Sequence, residues 1–242
     1  MNIFTEKIIA LIPARAGSKS IPLKNIKLFC GKPLIVHSIE AALACPLINR
    51  TIVSTDSKEI AEIAKNAGAE VPFLRPEKFA QDDTPDLPVF IHCLEWLKEH
   101  EGFEPDILVH LRPTSPLRTV SMIEKAIQLL IDEPEADAIR AVCEPSQNPF
   151  KMWEIMEDGF ISPLAKTNIE EQYNQPRQRL PIVYWQNGYI DVTRRKTIVE
   201  KNSMTGDKIK PLIVDNSDII DIDNELTFEF AEVMYRRKNK LV

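Results

Sequence analysis

From Ile8 to Ile12 the chain holds an unbroken apolar run, IIALI, which stops at Pro13. A run this short, rich in β-branched residues and free of polar alternation, reads as a strand buried on both faces rather than as a helix. Pro13, lacking an N–H, ends the ladder. Beyond it the chain enters a loop carrying Arg15, Lys19 and Lys24. Gly17 there allows a tight turn or a close approach to a ligand, and Ser18 adds a small hydroxyl. Three cations on such a loop suit a polyphosphate, although a solvated basic loop at a strand end would have the same composition.

The rest of the chain repeats the strand-then-helix alternation that implies parallel pairing. A helix is expected from about Pro33 to Ala44, a strand at 51 to 55, and a helix after Asp56-Ser57 that Gly68 closes. Val71 to Leu74 reads as a third strand, Val89 to His100 as a helix and Ile107 to Leu111 as a fourth strand. That strand runs into the loop Arg112-Pro-Thr-Ser-Pro-Leu-Arg118, at the carboxyl edge where open parallel sheets bind ligands. A helix from about Thr119 to Ile131 and a strand from Ala138 to Val142 come next. From Glu144 to Leu180 the period fails, and Trp153 to Ser162 reads as a hairpin turning at Asp158-Gly159. Further strands are expected at Ile182 to Val192, interrupted at Asn187-Gly188, at Pro211 to Val214 and at Ile219 to Ile222. A last helix runs from about Glu225 to Lys238. The expected fold class is α/β, a doubly wound, mostly parallel sheet, with an excursion at about 145 to 180.

Length and charge narrow the function. With 242 residues the chain can bury one sizeable core. A net charge of −6 argues against general attraction to nucleic acid, so any polyanion must be held by a local cluster such as the opening loop. The start, MNIFTEK, has no apolar stretch of signal-peptide length, and no run approaches the roughly 18 apolar residues of a membrane span. A cytoplasmic protein is expected. Cys30, Cys45, Cys93 and Cys143 form no C-x-x-C pair, and His37, His92, His100 and His110 show no metal-ligand spacing.

Residues 13 to 25, PARAGSKSIPLKN, resemble the signature P-A-R-x-G-S-K, with K-N a few residues further on, of the acylneuraminate cytidylyltransferases. These enzymes make CMP-activated nonulosonic (sialic-type) acids. The chain has neither G-x-x-x-x-G-K-[ST] nor G-x-G-x-x-G, which disfavours an ATPase or a dinucleotide-binding enzyme. LRPTSPLRT at 111 to 119 is similar to the family's L-Q-P-T-S-P-L-R-T, with Arg112 in place of glutamine. Asp221-Ile222-Asp223 is similar to the family's D-x-D before the last helix, and Arg177-Gln178 and Asn187-Gly188 also match, so the resemblance spans nearly the whole chain.

The resemblance implies a nucleotidyltransferase that joins CTP to a nonulosonic acid. Arg15, Lys19 and Lys24 would be catalytic, with Ala14, Arg15, Gly17, Ser18, Lys24, Asn25 and Arg75 around the nucleotide. Arg112, Thr114, Ser115, Gln186 and Asn187 would meet the sugar, and Asp221 and Asp223 a Mg²⁺ ion. On a strand, positions i and i+2 share a face, so the two carboxylates could meet one hard cation. Asp223 or Asn224 could instead cap the last helix. Ser54 to Asp56 is explained by capping alone. Arg75 and Gln81 could approach ligand or sit in surface ion pairs. Arg112 could grip an anionic group of the substrate or fold into a salt bridge with an acidic neighbour. The 145 to 180 excursion, with Met152, Trp153, Ile155 and Phe160, is expected to pack against a second copy in a homodimer. Two alternatives stay open: a nucleotidyltransferase for another sugar, such as 3-deoxy-octulosonate or a sugar 1-phosphate, and a non-catalytic relative that binds a nucleotide sugar.

Overall fold

The computed structural model describes residues 6–216 and 219–240. In chain order its elements are β1 Ile8–Pro13, β2 Leu28–Phe29, β3 Lys32–Pro33, α1 Leu34–Leu43, β4 Arg50–Ser54, α2 Lys58–Asn66, α3 Asp86–Glu101 and β5 Ile107–His110. Then come α4 Val120–Asp132, β6 Ala138–Cys143, β7 Trp153–Ile155, β8 Ile161–Pro163, β9 Trp185–Arg194, α5 Arg195–Glu200, β10 Ile209–Ile213 and α6 Glu225–Lys238.

A six-stranded sheet forms in the order β10-β6-β9-β5-β1-β4. β1 pairs in parallel with β4 and β5, and β10 in parallel with β6, whereas β9 runs antiparallel to both β5 and β6. The sheet is therefore mostly parallel, as the alternation of elements implies. Side chains on β1 alternate between two cores. Ile8, Ala10 and Ile12 pack with Ile35 of α1, Ile60 of α2 and Ile127 of α4. Ile9 and Leu11 pack with Phe90 and Leu97 of α3 and Ile198 of α5. Helices on both faces explain why IIALI carries no polar residue: neither side of β1 meets water. A third cluster, with Phe29, Leu34, Ile222 and Phe228, seats α6 beside the carboxyl edge of the sheet.

Helix ends obey their local chemistry. Ser57 caps α2 by accepting from the Ile60 N–H at 3.3 Å, and Gly68, at φ 94°, ends it. α3 starts at Asp86, earlier than the apolar period suggests, because Pro88 is tolerated in a first turn. At the other end of the sheet the Asp137 carboxylate pins the loop after α5, accepting from Lys201 Nζ at 2.7 Å and from the Asp207 and Lys208 N–H groups at 2.9 and 3.0 Å.

Three expected strands change. Val71 to Leu74 forms none: only an isolated parallel bridge, Ile52 with Glu70, extends the β4 edge, and Pro72 has no N–H with which to continue it. Ile219 to Ile222 joins no ladder; Ile222 N–H donates to Thr114 O at 3.0 Å and its side chain enters the third cluster. β9 is not cut at Asn187-Gly188 but runs through it, with a register irregularity. Asp191 lies opposite Arg140 and Gln186 opposite Val142, so β9 carries a bulge over 187–190. The expected hairpin is present as β7 and β8. Among the described residues no helix is long and apolar enough to cross a membrane.

Candidate active site

The loop after β1, the 75–86 segment with the first turn of α3, and the loop after β5 surround a cleft of about 230 Å³ at the carboxyl edge of the sheet. Arg15, Gly17, Ser18, Lys24 and Asn25 line it from one side and Arg112 and Thr114 from another. A larger groove of about 450 Å³ lies in the excursion beside Glu144, Arg177 and Gln178. It includes none of the expected catalytic residues, whereas Arg15 and Lys24 both line the smaller cleft.

The loop is anchored from below and closed from above. Ala14, buried, continues the strand by donating its N–H to Ser54 O at 2.9 Å. Ala16 N–H donates to Asp56 Oδ1 at 2.9 Å, and Asn25 Nδ2 donates to Arg15 O at 2.9 Å. Asp56 thus ties β4 to the loop, while the capping role expected around it belongs to Ser57. Gly17 does not make the turn: its φ is not positive, and the left-handed position is Leu23 at 51°, just before Lys24.

Asp82 closes the loop. Its Oδ1 accepts from Arg15 Nη1 and its Oδ2 pairs with Lys19 Nζ, both at 2.5 Å. Hydrogen bonds from Lys19 and Arg15 hold the Asp82 carboxyl below the usual carboxylate range. Two cations of the loop therefore converge on two oxygens of one anionic group, the demand a phosphate would make.

Lys24 sits deeper. Its Nζ donates to Ile222 O at 2.8 Å, which brings it to the D-x-D segment. Burial lowers its pKa, opposed by the charges of Asp223 and Asp221. The two carboxylates are not on a strand, yet the chain still sets both near Lys24. Burial pushes the Asp221 carboxyl up, opposed by a hydrogen bond with Thr114. Asp221 Oδ1 is buried and has no hydrogen-bond partner among the described residues. The helix cap does not draw on the Asp223 carboxylate, because Asn224 and Thr227 form a capping box at the start of α6. A buried orphan carboxylate oxygen with a second carboxylate two residues on fits a hard cation with oxygen ligands.

Arg75 is neither an ion-paired surface residue nor a free donor. It is buried, its Nε donating to Ser54 Oγ at 3.0 Å and its Nη1 to Phe79 O at 3.4 Å, and burial lowers its pKa to about 10. Gln81 bonds Glu77 O within the same segment at 2.9 Å and lines the cleft.

Arg112 takes the second of its two expected courses. Nη2 donates to Asp86 Oδ2 at 2.9 Å and Nη1 to Asp191 Oδ2 at 2.9 Å, so both prongs are filled by carboxylates of the chain itself. Burial works against its charge, but Asp191 and Asp86 outweigh it and hold its pKa above the ordinary value. To grip an anionic group of the substrate, Arg112 would have to exchange one of these carboxylates for it. Its loop is held by Arg118, buried, which donates to Tyr189 O at 2.6 Å, Ser38 Oγ at 3.1 Å and Arg112 O at 3.1 Å.

Of the other expected sugar contacts, Ser115 and Asn187 are both 1% exposed. Ser115 Oγ and Asn187 Nδ2 have no partner among the described residues. Gln186 is exposed and accepts from Arg140 Nη1 at 2.9 Å. Asp82, Asp86, Asp191 and Arg140 belong to no motif that the sequence displays. Only the acidic density of 82 to 86 hints at the first two.

An open α/β sheet whose carboxyl edge carries a cationic loop beside paired carboxylates defines a nucleotide-handling enzyme. Residues 9–206 match the family model described as Cytidylyltransferase. The chain belongs to that family and is a nucleotidyltransferase. CMP-N,N'-diacetyllegionaminic acid synthase of Legionella pneumophila is 35% identical to it over 228 residues, 93% of this chain and 95% of that protein. N-acylneuraminate cytidylyltransferase of Escherichia coli is 30% identical over 234 residues, 97% of this chain and 53% of that longer protein. These relatives agree with the resemblance drawn from the motifs. A CMP:2-keto-3-deoxy-manno-octonic acid synthetase complexed with CTP shares the fold, with a TM-score of 0.71 at 17% identity over 96% of this chain and 99% of that one.

Proposed function

We propose that this chain joins CTP to a nonulosonic acid, giving the CMP-sugar and pyrophosphate. The observation that carries the nucleotide half is the convergence of Arg15 and Lys19 on the two oxygens of one anionic group, Asp82. The acid half is supported by the relative at 35% identity, whose name specifies a CMP-activated legionaminic acid.

In this reading the anomeric hydroxyl of the sugar attacks the α-phosphorus in line, and the protein's work is alignment and charge stabilisation. Arg15 and Lys19 hold the outer phosphates, exchanging Asp82 for them. Lys24, deeper and flanked by carboxylates, meets charge building on the transferring group. Ser115 and Asn187 offer buried, unpartnered polar atoms to the sugar. Asp221 and Asp223 would hold a Mg²⁺ ion, which when bound neutralises phosphate charge. Activity measured as pyrophosphate release, with CMP-sugar formation monitored across a panel of nonulosonic acids, tests the reading. Turnover of a 3-deoxy-octulosonate or a sugar 1-phosphate, with every nonulosonic acid inert, would overturn it.

Two further results are expected. Asp221→Asn should lower activity at least tenfold and raise the Mg²⁺ concentration needed for half-maximal rate, because the change removes one carboxylate charge beside the phosphates. Full activity of the unaltered protein in excess chelator would remove the metal from the mechanism.

The reading also includes a cytoplasmic homodimer built on the excursion. Ile155 and Phe160 of the β7–β8 hairpin are 78% and 74% exposed, and Trp153 and Leu164 add to the same apolar surface. Light scattering at micromolar concentration should give twice the chain mass. A fully active monomer would rule the dimer out.

A further inference from the structure

The bulge in β9, Gln186 to Asp191, lies behind Arg112 of the cleft wall, and two arginines hold it. Arg140, on the neighbouring strand β6, donates Nη1 to Gln186 Oε1 at 2.9 Å and Nε to Asp191 Oδ1 at 3.0 Å. Those residues are the two flanks of the bulge, since Gln186 pairs with Val142 and Asp191 with Arg140 itself. Arg112 donates to the middle, at Gly188 O 3.4 Å away, and again to Asp191, before crossing to Asp86 at the start of α3. The Asp191 carboxylate between the two arginines is almost fully buried, and their charges hold its pKa low although burial alone would raise it.

A bulge leaves residues unpaired in the ladder, so its shape must come from side-chain bonds. Here the forked guanidinium of Arg140 spans the bulge from end to end. The segment so held contains Asn187, whose Nδ2 is buried without a partner among the described residues, and Gly188, whose absent Cβ would lie 3.9 Å from Asp221 Oδ2. The wall it forms therefore stands against Arg112 and the Asp221 carboxylate.

We propose that Arg140 is a positioning residue for the acceptor acid: it fixes the β9 bulge that presents Gln186, Asn187 and Gly188 to the sugar, without itself touching substrate. This rests on the proposed joining of CTP to a nonulosonic acid. It differs from a charge contact because it depends on one planar group reaching two acceptors at once, which an ammonium on a flexible stem does not reproduce.

The test compares Arg140→Met, which keeps the stem, and Arg140→Lys, which keeps the charge. Arg140→Met should raise KM for the acid at least tenfold while KM for CTP stays within twofold, and Arg140→Lys should recover less than half of that loss. Amide exchange measured by mass spectrometry should quicken over 186–191 in both variants, with β1 and α3 unchanged. If Arg140→Met fails to fold, Arg140→Gln makes the same comparison. Full recovery by lysine would mean direct reading of the acid's charge and would overturn the proposal. So would equal rises in both KM values, an unchanged KM for the acid, or exchange that quickens throughout the chain. If the unaltered protein forms no CMP-sugar with any nonulosonic acid, the functional reading fails first and this inference falls with it.

Discussion

Lys24→Ala is expected to lower the rate of CMP-sugar formation by about a hundredfold to a thousandfold, the range for removing one preorganised donor from a developing charge. The geometry argues for a large effect. The Lys24 amine is held 2.8 Å from Ile222 O, and its pKa is lowered by burial against the opposing pull of Asp223 and Asp221. Alanine would remove a cation from beside two carboxylates, leaving them to repel the incoming triphosphate. Arg15→Ala should cost at least tenfold as well, but less than Lys24→Ala, because Lys19 remains to hold the same anion. Steady-state kinetics beside circular dichroism decides the matter. A folded Lys24→Ala protein with near-ordinary turnover would remove the loop from the mechanism.

The second large effect concerns stability and lies far from the cleft. Gly206 has φ 65°, and a Cβ there would come within 2.6 Å of Cβ, Cγ and Oδ2 of Asp137. Asp137 cannot step aside cheaply, since its carboxylate accepts from Lys201 and from two backbone N–H groups. Gly206→Ala is therefore expected to destabilise the fold by about 3 kcal/mol, combining left-handed strain with displacement of that carboxylate. For a chain of this size, that corresponds to a fall in Tm of roughly 6–12 °C. Kinetic constants per folded molecule should not change. A Tm within a degree or two of the unaltered protein would show that the loop relaxes freely.

The parts of the fold legible in the sequence are those set by local pattern. IIALI announces a strand covered on both faces, and the Asp56-Ser57 cap with its closing Gly68 announces α2. The loop and the D-x-D stand out because their residues fall in the order and spacing of the family's motifs, which composition alone would not distinguish from a basic loop and a helix cap. The hidden parts depend on partners distant in sequence. Asp82 lies 67 positions from Arg15 and Asp191 lies 79 from Arg112, so neither ion pair leaves a local mark. Arg112 reads as a candidate ligand contact because its counter-charges are nowhere near it in the chain. The direction of β9 is hidden too, since a buried strand has the same composition whichever way it runs. At Val71 to Leu74 the apolar residues suggest a strand, and Pro72 decides against it.

The place of β9 also shapes how the chain can assemble. β6 and β10 reach the rest of the sheet only through β9, which arrives late, at residues 185–194. The first half, β1 with β4 and β5, can pair as soon as it is made, but β6 has to wait more than forty residues for the neighbour that joins it to β5. During synthesis the Ala138–Cys143 segment therefore waits with its main chain unpaired, exposed to the wrong partner. Closing the sheet means inserting a strand between two others against a long loop, a step whose entropy slows folding. A chain that stops short of Trp185 would hold β1, β4 and β5 as one sheet and leave β6 stranded.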